Sequence, residues 1–137
     1  MKKLAVGAAY LLYLCASPGT VLAHHSFAMF DHTRTVTLKG EVAKFQWTNP
    51  HAILEIDVPG ANGAQHFTLE LTSINMMQRL GWRSNYIKAG DKVKAVMAPL
   101  LNGERGGLLL EITLPDGRTL QPGVPALATF KRTPESE

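Results

Sequence analysis

The chain has a single cysteine, Cys15, and it falls in an apolar N-terminal segment, so no disulfide can hold the fold together. Long hydrophobic runs are missing as well. The most apolar stretch, Leu4 to Cys15, is shorter than the roughly 20 residues that span a bilayer. The motifs of common catalysts and nucleotide binders are lacking: there is no Gly-x-Ser-x-Gly elbow, no P-loop, no His-Glu-x-x-His and no Cys-x-x-Cys. Internal repeats and low-complexity tracts are also missing. Charge of one sign is not in real excess. The formal net charge is +3, but Lys2 and Lys3 lie in a segment that reads as removable, and without them it falls to +1. That leaves no basic stripe for a phosphate backbone, and no nucleic-acid partner is expected.

The N-terminus itself is informative. Lys2 and Lys3 form a positive start, Leu4 to Cys15 an apolar core, and Pro18-Gly19 a break. Val21 and Ala23 then place small side chains at the two positions a signal peptidase reads. Residues 1–23 are therefore expected to be a signal peptide cleaved after Ala23, with a periplasmic or secreted product that carries no transmembrane segment. A lipid anchor on Cys15 is not expected, because Leu12-Tyr13-Leu14 lacks the small residues such processing needs. The mature protein would begin with His24-His25-Ser26.

Downstream, hydrophobic alternation marks strands. In Thr35 to Trp47, Val36, Leu38, Gly40 and Val42 share one parity, while Phe45 and Trp47 take the other. Such a slip near Ala43-Lys44 is the signature of a β-bulge, and Gly40 would ease the same bend. Ala52 to Val58 reads as a second strand, with Leu54 and Ile56 inward and Glu55 and Asp57 outward; Gln65 to Leu71 reads as a third, with Phe67 and Leu69 inward. Ser73 is suited to N-cap a short helix, Ile74 to Leu80, that Gly81 ends. Lys92 to Ala98 and Leu108 to Leu114 are the fourth and fifth strands, separated by a glycine-rich loop, Asn102 to Gly107. Asp116-Gly117 signals a tight hairpin to a short strand near Arg118 to Leu120. Three strands, a helix and two more strands, with a bent first strand, predict a mainly β fold: a small OB-fold-like five-stranded barrel with one short helix between strands 3 and 4. A plain five-stranded meander is the alternative. The barrel domain is expected over 24–120, and the proline-bearing segment 121–137 as a loose tail.

All five histidines, His24, His25, His32, His51 and His66, survive cleavage. His24 would supply both an α-amine and an imidazole, a chelating pair on one residue. His25 offers a second imidazole, and His51 a third from the Asn49-Pro50-His51 turn. Nitrogen-rich sites suit Cu(II), and an α-amine of pKa about 7.7–8.0 yields its proton readily to a metal. His24, His25 and His51 are thus the candidate metal ligands, with copper the candidate ion. His66 and Glu70 are further candidates if the N-terminal segment folds over the third strand. Ordinary roles compete with these: a terminal His-His pair can fray in solvent, and a turn histidine can bond a backbone carbonyl. Trp47 and Trp82 are expected to close the barrel ends, although an exposed Trp47 would make a stacking platform. Met76, Met77 and Met97 are expected in the core.

Several segments together resemble a known family: Ala23-His24-His25-Ser26-Phe27, Leu38-Lys39-Gly40-Glu41-Val42, Trp47-Thr48-Asn49-Pro50-His51, Glu70-Leu71, Gly81-Trp82, Gly90-Asp91-Lys92-Val93 and Thr113-Leu114-Pro115-Asp116-Gly117-Arg118. The pattern is similar to that of exported bacterial proteins grouped as domain-of-unknown-function family 6152. The likeness runs from about His24 to Leu120, and its most specific parts are the opening His-His-Ser and the Trp-x-Asn-Pro-His turn. The sequence departs from the pattern at Ala52-Ile53, where an aromatic is expected. The resemblance implies export and one small β-domain, and names no substrate. Three functions remain: a periplasmic copper-binding protein; a non-metal accessory module that docks a protein or small molecule on the barrel face; and an enzyme, which the missing motifs disfavour.

Overall fold

The first strand, β1 (Val36–Gln46), bends where its apolar alternation slips. A computed structural model describes residues 27–124 of the chain, and in it the register of β1 against its neighbour shifts between Val42 and Lys44. The bend lets one strand serve two partners. Val36 to Glu41 pair antiparallel with β4 (Lys92–Pro99), and Glu41 to Gln46 with β2 (Ile53–Val58). Gly40 stands at the crossing. A Cβ there would sit 2.5 Å from the Asp57 carbonyl oxygen, so only glycine lets the strands approach this closely.

β3 (Gln65–Glu70) pairs with β2, and β5 (Gly106–Thr113) with β4, both antiparallel. A short parallel pairing of β3 with β5, Thr68↔Gly106 to Glu70↔Leu108, completes the circuit β1–β2–β3–β5–β4–β1. This is the closed OB-like barrel, and the parallel closure excludes the meander. β6 (Thr119–Leu120) adds a rung beside β5. Helix α1 (Ile74–Arg79) lies between β3 and β4, with the Ser73 hydroxyl accepting from the Met76 amide at 3.3 Å and Gly81 at φ +86° just past its end.

Leu54, Ile56, Leu69 and Ile112 are fully buried and Val93 nearly so, as their alternation requires, and α1 adds Met77. Phe67 is only half-buried, because the parallel closure covers β3 from Thr68 onward and leaves its first residues at the barrel rim. Met97 is buried, whereas Met76 faces outward at 39% exposure. Trp82 is buried with its indole N–H on the Gln121 carbonyl at 3.0 Å, and Trp47 packs half-buried, edge-on to Phe45.

A second cluster lies outside the barrel. Phe30, Ala98, Leu108, Leu110 and Val124 pack together on the outer face of β4 and β5, so β5 is apolar on both sides. Pro122 and Val124 are both buried, and the packed region runs at least to Val124. Gly106 and Gly107, expected in a loop, begin β5 instead. A Cβ on Gly106 would stand 2.8 Å from the Thr68 carbonyl oxygen, so glycine is what admits β5 to the closure.

Candidate functional site

Antiparallel pairing continues past the start of β2, with the Leu71 amide on the Ala52 carbonyl at 2.9 Å. Ala52 and Leu54 point inward, so His51 and Ile53 face out, on the side where Glu70 of β3 stands opposite Ile53. His51 Nδ1 lies against Glu70 Oε1 there. The turn that delivers His51 is tied to the helix: Asn49 Oδ1 accepts from the Ile74 amide at 3.3 Å, and the Asn49–Pro50 peptide is cis. An ionised carboxylate only accepts hydrogen bonds, so the Nδ1–H donates to Glu70, and in the neutral form of the ring the lone pair then lies on Nε2. Nε2 has no partner among the described residues. The His51 side chain is 36% exposed and that of Glu70 26%, a half-sheltered pair that solvent or a ligand can reach.

The other described histidines are spoken for. His66 Nδ1 lies 2.7 Å from Asp57 Oδ1, and Glu55 Oε2 stands 3.6 Å from its Nε2, so one carboxylate bonds the ring and a second lies beside it. It also sits four residues along β3 from Glu70, about 13 Å away at strand rise. His51 and Glu70 therefore come together, and His66 does not join them. His32 Nε2 meets the Phe27 carbonyl at 2.9 Å. His24 and His25 lie outside the described residues. Among the described residues no group of three or more His, Cys, Asp or Glu converges to hold a metal ion, and no helix is long and apolar enough to cross a membrane.

Sequence reasoning did not anticipate where the N-terminal segment sits. The Leu101 amide bonds the Met29 carbonyl at 2.9 Å, the Asp31 amide bonds the Pro99 carbonyl at 2.8 Å, and Phe30 bridges Leu100. This lays residues 29–31 along the end of β4. Met29 and Phe30 then line a cleft of about 300 Å³ together with Ile53, Thr68, Glu70 and Arg105. The chain thus enters the described region beside the residue that holds His51. The only sequence signal for this was the apolar run Phe27-Ala28-Met29-Phe30 ahead of the polar stretch Asp31 to Arg34.

The sequence model described as a family of unknown function, DUF6152, matches residues 12–111 of the chain. Comparison with curated proteins gives no match. Among solved structures, the chain is similar to the mitochondrial single-stranded DNA binding protein Rim1 from S. cerevisiae, with 13% identity and a TM-score of 0.46 over 63% of this chain and 94% of that one.

Proposed function

The chain belongs to this family of unknown function, DUF6152, and from that premise we propose that it is an exported domain that binds copper through its mature N-terminus and His51. In this reading residues 1–23 are removed on export. The α-amine and imidazole of His24 chelate Cu(II), and His51 Nε2 is the third nitrogen. His25 is the alternative third ligand, and Glu70 acts as the orienting partner of His51 rather than as a ligand.

The observation that carries this reading is the His51–Glu70 pair. A histidine that ligates a metal through one ring nitrogen almost always donates the other N–H to a carboxylate or carbonyl, which sets its tautomer and raises its basicity. His51 has that arrangement, with Nε2 left over. The position of Met29 beside Glu70 supports it further. The chain turns at Phe27 to Phe30, where the Phe30 amide bonds the Phe27 carbonyl at 3.2 Å, and the three steps from Phe27 back to His24 cover at most about 10 Å when extended. Cu(II) stands at the top of the Irving–Williams order, so a nitrogen-donor site of this kind binds it more tightly than Zn, Ni or Co.

The test is a Cu(II) titration of protein that starts at His24, of the same protein with one extra N-terminal residue, and of the His51→Ala variant. The extension turns the His24 amine into an amide and keeps every imidazole. Both changes are expected to weaken Cu(II) binding by at least about tenfold. Equal affinity for native and extended protein would sink the N-terminal chelate, and an unaffected His51→Ala variant would remove His51 from the site.

A further inference from the structure

Where α1 ends, the chain turns through Gly81 into Trp82, Arg83 and Ser84, beside Trp47 just past β1. Trp47, Gln78, Gly81, Trp82, Arg83 and Ser84 line a half-open pocket of about 300 Å³ there, at the small end of ligand-binding cavities. Its polar groups are uncommitted. Trp82 spends its indole N–H inward on the Gln121 carbonyl. The side chains of Gln78, Arg83 and Ser84 and the indole N–H of Trp47 have no hydrogen bond or ion pair with any described residue. No carboxylate lines the pocket, so nothing in its wall neutralises the Arg83 guanidinium. Gly81, at φ +86° and with nothing within 4 Å of where a Cβ would stand, leaves the mouth clear.

We infer that this pocket is a binding site for a small carboxylate carrying a flat ring. Each part of that ligand answers one feature of the wall. The face of Trp47 takes a ring by offset or edge stacking. A guanidinium is a rigid fork that matches a carboxylate through two parallel N–H donors. One unpaired cation, with no second basic residue in the wall, fits a singly charged group better than a phosphate. Gln78 and Ser84 supply neutral donors and acceptors for a ring substituent. The pocket uses none of the residues of the copper reading and stands or falls apart from it.

Benzoate is the probe, with benzamide and acetate as controls: the first removes the charge and keeps the ring, the second does the reverse. Two-dimensional NMR of the intact protein reads binding separately at the Trp47 and Trp82 indole N–H signals. Benzoate is expected to shift the Trp47 signal saturably, with benzamide and acetate at least about tenfold weaker. Arg83→Gln, a change at an exposed side chain, is expected to lower benzoate affinity about ten- to a hundredfold and leave benzamide unchanged, and Arg83→Lys to recover part of the loss. Trp47→Leu is expected to weaken benzoate and benzamide alike. Equal binding of benzoate and benzamide, indifference of benzoate to Arg83→Gln, or no saturable shift would each overturn the inference.

Discussion

The partners of a side chain decide what its chemistry can be, and the histidines show this residue by residue. All of them look alike in sequence. Asp57 takes Nδ1 of His66 with Glu55 beside its Nε2, and a carbonyl takes Nε2 of His32, while Glu70 takes Nδ1 of His51 and no described residue meets its Nε2. The turn that carries His51 was legible in the sequence, because Pro50 marks it. Glu70 as its partner was not, since that pairing depends on the register of β2 against β3. A second residue-scale prediction concerns Asp31, which pins the N-terminal segment. Its carboxyl accepts from the hydroxyl and amide of Thr33 and from the Arg34 guanidinium, which lower its pKa from 3.8 to about 2. A folded value below the unfolded one means that Asp31 contributes its stability in full above about pH 5, and loses it progressively as pH falls through the unfolded value towards 2. Thermal melts of wild type and Asp31→Asn are therefore expected to differ by a constant amount from neutrality down to about pH 5, and to converge below pH 4. A difference that does not change with pH would show that the carboxylate is not the relevant group.

At the scale of elements, what could be read from the sequence was what local periodicity and capping determine. The slip at Ala43-Lys44 is a real register shift, Ser73 caps α1, and Gly81 takes the left-handed conformation after it. The start of β5 was not readable in this way. Gly106 and Gly107 carry the composition of a loop, and their reason for being glycine is the carbonyl of Thr68 on another strand. The run Leu108-Leu109-Leu110 did hold a clue, because a strand with no alternation is one covered on both faces. The cover is Phe30 and Val124, far apart in the chain. Gly106→Val is expected to cost about 1–3 kcal/mol in urea unfolding, the usual penalty of overpacking. Amide exchange should speed up most at Thr68 to Glu70, where the parallel closure is made, and least between β1 and β2. Uniform loss of protection across all strands would instead place Gly106 in a general stabilising role.

For the molecule as a whole, the barrel fixes two separate places with unspent chemistry. One is the His51–Glu70 pair beside the entering N-terminal segment, and the other is the Trp47–Arg83 pocket after α1. The order of strands and the bent β1 were enough to foresee the barrel from sequence, whereas the His51–Glu70 pair needs the register of β2 against β3, and the Trp47–Arg83 pocket the packing of the segment after α1 beside Trp47. The copper reading joins this architecture to export, since the amine it needs exists only after cleavage before His24. The most direct measurement is the intact mass and metal content of untagged protein purified from the periplasm of its host. The expected result is a mass that begins at His24 with copper equimolar to protein, and a His51→Ala variant that keeps its fold and loses the metal. A mass that retains residues 1–23, or a cleaved protein whose copper content is nil or indifferent to His51, would contradict the account.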